Sequence, residues 1–488
     1  MKKSFSLAIL LFLGVFTFIS CQDDYDDIEV PNNLKVNDFV WKGLNLYYYW
    51  QADVPNLSDN KFNNQGELNN FLANYSSPRD LFSDLLYQYS VSDRFSVIYE
   101  DYRILEGNLN GITANNGVDY QLVRKNASAD DVFGWVRYII PNSDASTKAI
   151  QRGDIFYAID GIPLSFASRN YNQLLSQETY TLNLADYNNG NITPNGRSVT
   201  LTKMQLTENP ILMNNTYTYN QHKIGYLMYN GFYAAYDTQL NQIFADFKSQ
   251  NVTDLVIDLR YNSGGSVNTA TRLASMITGQ NNGQIFAKQQ WNSKVQSYFN
   301  SNNPESLINR FTNTIGNTGI NSLNLTKVYI LTSKSSASAS ELLINGLKSY
   351  IEVVQIGDIT TGKNVGSITL YDSPSFNSSG RSSSHRYAMQ PICFKIVNAD
   401  GFGDYASGIR PTTEYKEDLG NLGSLGNVNE PLLSVAIEQI INSGRRIQNS
   451  HKSYDAIKDS KSMQALGTEL YLDEVPFEAL NIKFYEHQ

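Results

Sequence analysis

Apolar and polar positions alternate between two regular patterns in residues 327–366. Apolar-rich runs at 328–332 and 351–356 predict two buried strands, and the helical apolar period of 339–350 predicts a helix between them. Such a βαβ unit has a right-handed connection, so both strands end at the same edge of the sheet. Ser338 follows the first strand and Lys363 follows the second. We therefore expect a hydroxyl and an amine to meet at that edge.

The pattern changes several times elsewhere along the chain, which predicts a multidomain α/β (α+β overall) protein. A helical period dominates residues 34–110, and short alternating strands separated by polar turns fill residues 111–206. Residues 207–445 combine buried strands with amphipathic helices, as expected for an α/β core. The tail, 446–488, is polar with patchy periodicity, and its sequence assigns it no role.

A glycine pair lies between a strand and a helix in the core. The apolar strand 255–259 leads into Asn262, Ser263, Gly264 and Gly265, and a helical pattern follows. Backbone N–H groups at a helix N-terminus can stabilise an oxyanion. The same turn could cradle a phosphate or simply make a tight connection.

Ser338 and Lys363 have chemistry suited to acyl transfer, because a serine beside a neutral lysine forms a nucleophile and base pair. Each also has a simpler interpretation. Ser338 with Glu341 three residues later fits a helix capping box, and Lys363 in a glycine-flanked loop could be a solvated surface lysine. His385, in a serine-rich loop, is an alternative base.

The first 21 residues contain two lysines, an apolar run at 7–19 and a small residue before Cys21. This pattern is typical of a secretory signal and too short for a membrane span. It resembles a bacterial lipoprotein lipobox, with Phe18 where leucine is usual, and implies that Cys21 carries lipid. The acidic stretch 22–33 is then a tether; it resembles a surface-export signal, or it is a solvated linker.

Composition argues against some binding partners and against disulfide and metal sites. The net charge of −9 argues against nucleic acid or an anionic membrane surface as the main partner. The 32 tyrosines and 23 phenylalanines suit surfaces that hold extended peptide or sugar. With Cys21 lipidated, Cys393 in an apolar run is a buried thiol without a disulfide partner. Four scattered histidines and the absence of CxxC or HExxH predict no metal and no cofactor.

Residues 143–164, SDASTKAIQRGDIFYAIDGIPL, resemble the second half of the PDZ domains attached to bacterial envelope proteases, with Phe156 replacing an isoleucine. PDZ domains accept an extended peptide as an added strand and hold its carboxylate in a backbone loop. The resemblance places that loop near Asn116, Gly117 and Val118.

Several motifs occur together in one order: DLRYNSGG, SSASASE, and TGK with its lysine 25 positions after Ser338. With the PDZ-like run, they resemble the C-terminal processing peptidases, or tail-specific proteases, over residues 111–441. The resemblance implies a crotonase/ClpP-like α/β core with an inserted or preceding PDZ-like domain and an N-terminal helical domain.

The resemblance also implies roles for individual residues. Ser338 is the nucleophile and Lys363 the base, which requires burial to lower the lysine pKa from its usual value of about 10.4. The backbone N–H groups of Gly264 or Gly265 and of Ala339 form the oxyanion hole. Ser367 occupies a position where relatives often have glutamine, and its hydroxyl could orient the amine.

These observations predict an envelope-anchored serine endopeptidase that acts on protein tails or partly unfolded proteins. Two other functions are compatible with the sequence. Ser367 favours a catalytically impaired peptide-binding lipoprotein, and secretion with high aromatic content suggests a glycan-binding accessory protein.

Overall fold

The computed structural model describes residues 28–126, 128–442, 454–464, 467 and 469–473. Cys21, the signal segment 1–21 and the first residues of the acidic tether lie outside the described residues. Within the described part of the chain, no helix has the length and apolar content needed to cross a membrane.

The N-terminal region is helical, as its apolar period predicts. Ser77 accepts a hydrogen bond from the backbone N–H of Asp80, so this serine caps a helix that begins at a proline. One short strand interrupts the helices. The elements are α1 (Lys35–Tyr47), α2 (Gln65–Leu72), α3 (Pro78–Asp84), β1 (Val97–Tyr99) and α4 (Tyr102–Leu109).

Short strands follow, and most of them form one antiparallel sheet. A long hairpin in this sheet turns at Asn189 and Gly190, which both have positive φ. The elements are β2 (Ile112–Asn115), β3 (Val118–Arg124), β4 (Val132–Ile139), β5 (Ile155–Ile159), β6 (Ile162–Pro163), α5 (Tyr171–Ser176), β7 (Thr179–Asn188), β8 (Asn191–Thr202) and β9 (Met204–Thr207).

The next stretch builds the first half of the core. Leu255, Val256 and Ile257 are fully buried, as expected for a strand covered on both faces. The elements are β10 (Ile211–Tyr219), β11 (His222–Tyr229), α6 (Asp237–Ser249), β12 (Asp254–Asp258), β13 (Gly265–Ser266), α7 (Val267–Thr278), β14 (Ile285–Trp291), α8 (Ser293–Asn302), β15 (Ile308–Arg310), β16 (Thr314–Ile315), β17 (Thr318–Gly319) and β18 (Lys327–Thr332).

The remaining elements complete the core and return to the earlier sheets. They are α9 (Ala339–Leu347), β19 (Glu352–Gly357), β20 (Val365–Ser367), β21 (Leu370–Tyr371), β22 (Ala388–Gln390), β23 (Ile392–Asn398), β24 (Thr413–Glu414), α10 (Pro431–Asn442), β25 (Asp455–Asp459) and β26 (Leu470–Tyr471). The βαβ unit predicted around Ser338 is therefore present as β18, α9 and β19.

Three sheets position the site. The first has the order β10-β11-β12-β18-β19-β24 and is parallel from β11 to β24. The second has the order β13-β26-β20-β23-β14-β15, and the third contains β25-β3-β4-β5-β7-β8 with β6 beside β5. Strands β25 and β26, the last two that the structure describes, thus belong to two different sheets.

Candidate active site

The serine-rich turn between β18 and α9 is fastened to the end of β12. Ser336 Oγ donates to the carbonyl of Leu259 at 2.8 Å, and Ala337 N–H donates to the carbonyl of Asn262 at 3.1 Å. Ser340 Oγ also donates to the Asn262 carbonyl, at 3.1 Å. These bonds fix the start of α9 relative to the neighbouring parallel strand.

Ser338 has a strained backbone and an available hydroxyl. Its φ is +62° with ψ −114°, a conformation that L-residues rarely adopt and that is found at functional sites. The side chain is fully buried, and its Oγ has no hydrogen-bond partner among the described residues. A buried polar atom without a partner is costly, so this arrangement points to a functional role.

Glu341 connects the serine turn to the lysine loop. Its carboxylate accepts the backbone N–H of Ser338 at 2.8 Å, as the capping-box spacing predicts. The same carboxylate accepts the N–H groups of Gly362 at 2.6 Å and Lys363 at 2.8 Å, and the Thr360 hydroxyl at 2.5 Å. Burial raises the pKa of Glu341, and these hydrogen bonds oppose the rise. One buried carboxylate therefore positions the backbone of both candidate catalytic residues.

Lys363 is fully buried, contrary to the simpler expectation of a solvated surface lysine. Its Nζ lies 3.2 Å from Glu469 Oε2 and 4.5 Å from the centre of the Phe95 ring. Burial lowers the pKa of Lys363 below its ordinary 10.5, while the Glu469 carboxylate opposes that shift. The amine is therefore closer to a usable base than a surface lysine would be.

Gly264 and Gly265 have positive φ values of 119° and 138°. A Cβ atom at Gly264 would lie 2.5 Å from Ser338 Oγ, so a larger residue would collide with that hydroxyl. Gly264 N–H donates to Asn262 Oδ1 at 2.9 Å, whereas Gly265 N–H donates to the carbonyl oxygen of Glu469 at 2.6 Å. Both expected oxyanion donors are therefore engaged in this conformation, Gly264 by a side chain of its own turn and Gly265 by the backbone of Glu469.

Ala339 begins α9 directly after Ser338, and it is fully buried. The first N–H groups of a helix lack partners within that helix, which suits this N–H to an anion.

Ser367 lies in β20, fully buried beside the lysine. Its Oγ lies 2.9 Å from Glu469 Oε2 and accepts a hydrogen bond from Gln390 Nε2 at 3.1 Å. A glutamine amide thus reaches this place from β22 rather than from position 367. Sequence reasoning missed Glu469, Gln390 and Phe95, because each is distant in the chain from Ser338 and Lys363.

His385 and Cys393 lie in other surroundings. His385 Nε2 is 2.8 Å from Asp372 Oδ2, and no hydrogen bond joins the histidine to Ser338 within the described residues. Cys393 is fully buried and unpaired, and burial raises the pKa of its thiol, as expected for an inert cysteine.

Asn116, Gly117 and Val118 lie at the start of β3, in a loop with internal hydrogen bonds. Gly117 N–H donates to Asn115 Oδ1 at 2.8 Å, and Val118 N–H donates to Asn116 Oδ1 at 3.1 Å. Asn116 Nδ2 donates to the Tyr180 hydroxyl at 2.7 Å. In this conformation the loop uses these donors itself, so it would have to rearrange to bind a carboxylate.

Comparisons with known proteins agree with this architecture. Residues 223–376 match the model of peptidase family S41, and residues 35–97 match the peptidase S41 N-terminal domain. A crystal structure described as an S41 protease from Bacteroides fragilis is similar over 83% of this chain and 98% of its own, with 25% identity and a TM-score of 0.63. A photosystem II D1 C-terminal processing protease is similar over 81% of this chain and 95% of its own, with 18% identity and a TM-score of 0.48.

The protein is a serine-type peptidase, a hydrolase with a multidomain α/β fold and an N-terminal helical region. Residues 223–376 are the part that is similar to peptidase family S41, and residues 35–97 are similar to the S41 N-terminal domain.

Proposed function

We propose that this protein is an envelope-anchored serine endopeptidase that cleaves protein tails or partly unfolded proteins through a Ser338/Lys363 dyad. One observation carries the proposal: a hydroxyl without a described partner and a buried lysine have their backbones held by the same carboxylate, Glu341. Burial supplies the condition that a lysine base needs, because it disfavours the charged amine.

In the proposed reaction, neutral Lys363 takes the proton from Ser338 Oγ as that oxygen attacks the peptide carbonyl. The N–H groups of Gly265 and Ala339 stabilise the oxyanion, a contribution worth roughly a hundredfold or more in rate per donor. The protonated amine then gives its proton to the leaving nitrogen, which leaves an acyl-enzyme on Ser338. Water, activated by the same lysine, releases the acid product and restores the serine.

The proposal keeps the finer architecture expected from the sequence. The chain would contain four parts: a helical domain at 34–110, a PDZ-like domain at 111–206, a crotonase/ClpP-like core at 207–445 and a tail at 446–488. Substrate would add as a strand to the PDZ-like sheet and extend toward the dyad. Strand β3 follows the Asn116–Val118 loop directly, which supports this route, and a substrate strand would take the place that β25 has beside it.

Anchoring rests on the first 33 residues of the sequence. Lipid on Cys21 would hold the mature enzyme at the outer membrane, with the acidic tether favouring exposure at the cell surface. Peptide or protein is then the partner, and the membrane is contacted only through the anchor.

A catalytically impaired peptide-binding lipoprotein is the second candidate. The contact between Lys363 Nζ and the Glu469 carboxylate favours it, because a charged amine cannot accept a proton.

The two candidates differ in whether unfolded casein is cut. We expect the full chain to hydrolyse casein, and Ser338→Ala to lose this activity while its Tm stays close to that of the parent. Ser349→Ala is the matched control, since Ser349 Oγ is also buried without a hydrogen-bond partner in the described structure. An inert parent that still binds casein would favour the binding protein.

A further inference from the structure

The described residues from 454 onward lead from the PDZ-like sheet to the candidate active site. Strand β25 pairs antiparallel with β3, with Asp455 opposite Arg124 and Asp459 opposite Gln121. Because PDZ domains bind extended peptides by adding a strand next to their carboxylate loop, β25 occupies the edge where a peptide would bind. The occupant is a segment of this chain.

Asp459 fastens this segment to both the sheet and the nucleophile turn. Its Oδ2 accepts Arg137 Nη1 at 3.1 Å and the Ser335 hydroxyl at 2.5 Å. Arg137 is buried and also pairs with Asp119, so it places a cation inside the sheet beside the bound strand. Ser335 lies three residues before Ser338. Asp459 therefore holds the segment between β3 and the Ser338/Lys363 dyad, which are the two ends of the proposed substrate path.

Further along, β26 inserts between the strands that carry the oxyanion donor and Ser367. Leu470 pairs with Gly265 on one side, and Tyr471 pairs with Ser367 on the other. Leu470 is fully buried, and Leu472 N–H donates to the Ser367 carbonyl at 3.3 Å. The segment thus lies in the cleft as a backbone-bonded strand.

Glu469 contacts the proposed site at two points: its carbonyl contacts a proposed oxyanion donor, and its side chain contacts the proposed base. Its carbonyl oxygen accepts Gly265 N–H at 2.6 Å. A Cβ built on Gly264 would lie 2.6 Å from that oxygen and 2.5 Å from Ser338 Oγ, so both oxygens crowd the same glycine. A cavity of about 40 Å³ remains beside Gly264, Gly265 and Glu469.

The Glu469 carboxylate explains how the segment can lie at the dyad without being cut. It contacts Lys363 Nζ at 3.2 Å and Ser367 Oγ at 2.9 Å. A carboxylate at this distance favours the protonated amine, which cannot take the proton of Ser338, and it thereby opposes the lowering of the lysine pKa by burial.

We propose that the described residues of the segment 454–473 act as a built-in pseudosubstrate, which fills the path from β3 to the dyad and which a peptide substrate must displace. This inference rests on the proposed function, since it takes Ser338 and Lys363 as the working pair. Peptides with an extended backbone and an acidic side chain facing Arg137 are the class best suited to compete for the β3 edge.

Glu469→Gln in the full chain tests the inner end of the segment. The change removes the charge that favours the protonated amine and weakens occupancy by the segment. We expect kcat/KM for a fluorogenic casein-derived peptide to rise about tenfold, which corresponds to roughly 1.4 kcal/mol. Glu305→Gln removes a matched carboxylate from an exposed ion pair with Arg310 and leaves kcat/KM unchanged. Equal kcat/KM in the parent and Glu469→Gln would overturn the proposal.

A reversible lock tests the outer end. Arg124 and Asp455 are cross-strand partners in β3 and β25, so Arg124→Cys with Asp455→Cys can form a disulfide that holds the segment in place. We expect oxidation to lower kcat/KM at least about tenfold and dithiothreitol to restore it. Asp455→Cys alone should not respond to either reagent. A double variant with the same activity when oxidised and reduced contradicts occupancy.

Hydrogen exchange separates this proposal from the proposed activity. In full-length Ser338→Ala, a saturating peptide should raise exchange at the amides of residues 470–472. Peptide binding without that change overturns the pseudosubstrate. Raised exchange with no hydrolysis by any variant supports occupancy and refutes the peptidase proposal for this site. Parent chains found by intact mass to end at Glu469 would make the segment a substrate instead of an inhibitor.

Discussion

At the scale of single residues, Ser338 and Lys363 depart from a helix-cap serine and a surface lysine in the same way, because both are fully buried. Burial leaves the serine hydroxyl without a partner among the described residues and lowers the pKa of the lysine. Each condition costs folding free energy and each favours proton transfer from serine to amine. Burial of the two residues thus lowers the stability of the fold and favours the proposed reaction.

The pH dependence of cleavage follows from the shifted amine. Only the neutral form of Lys363 accepts a proton, so activity rises with pH as the amine deprotonates, with a midpoint below the ordinary 10.5. The Glu469, Asp93 and Glu341 carboxylates face this amine and oppose the shift. Glu469→Gln should therefore move the midpoint of a kcat/KM profile to lower pH.

Lys363→Arg supplies the control for that profile, because a guanidinium stays charged throughout the range. We expect it to lose about a hundredfold or more in kcat/KM at every pH. Lys248→Arg, at an exposed position late in α6, should keep the parent profile. A parent profile whose midpoint is not lower in Glu469→Gln would contradict the assignment of this base.

Individual site residues differ in how far the sequence could identify them. Ser338 and Lys363 stand in one short segment whose local pattern predicts their convergence, and the structure places both at the same buried carboxylate. Glu469 and Gln390 reach the site through strand pairings with partners far away in the chain. No periodicity or local spacing encodes such pairings, so these residues were missed.

At the scale of elements, the Glu341 carboxylate joins the start of α9 to the loop that contains Gly362 and Lys363. This side chain accepts bonds from both segments while buried. The capping-box interpretation of Glu341 is confirmed for the Ser338 N–H, and it is incomplete because the lysine loop uses the same oxygens. Helix start and loop position should therefore respond together when the carboxylate is changed.

Glu341→Gln tests that connection. A glutamine keeps the shape but turns an N–H₂ group toward donors, so we expect a loss of about 3 kcal/mol in unfolding free energy and at least a tenfold loss in kcat/KM. Glu352→Gln, an exposed position paired with Lys327, should change neither chemical denaturation nor kinetics. Full stability and activity in Glu341→Gln would contradict the positioning role.

The fold was predictable where burial leaves a local pattern. The apolar-rich runs of β12, β18 and β19 mark strands covered on both faces, and the period of α9 marks a buried helix. The two-residue strands β13 and β26 carry too few positions to form a pattern. Strand β1 interrupts a region expected to be helical, because its pairing with β22 supplies the hydrogen bonds.

At the scale of the whole molecule, the tail is the largest difference between expectation and structure. The sequence assigned no role to residues 446–488, yet the described part of this region adds strands to two sheets. Contacts of Asp459 with Arg137 and Ser335 also link the β3–β4 sheet to the nucleophile turn. Peptide binding at one sheet could thereby change access to the dyad through a single displaced segment.

Anchoring is a property of the intact chain in its cell, and it depends on Cys21. We expect the mature protein to incorporate an alkyne fatty-acid analogue and Cys21→Ser to lose the label. Cys393→Ser is the matched control and should stay labelled, because its buried thiol is not part of the lipobox-like run. An unlabelled parent would contradict the anchor.

The acyl-enzyme tests the central claim most directly. The full chain is mixed with an activated peptide ester, quenched in acid and analysed by intact and peptide mass. We predict one acyl group on Ser338 in the parent and in Ser349→Ala, none in Ser338→Ala, and acylation slowed about a hundredfold or more in Lys363→Arg. An acyl group on another residue, or equal acylation rates in the parent and Lys363→Arg, would contradict the dyad.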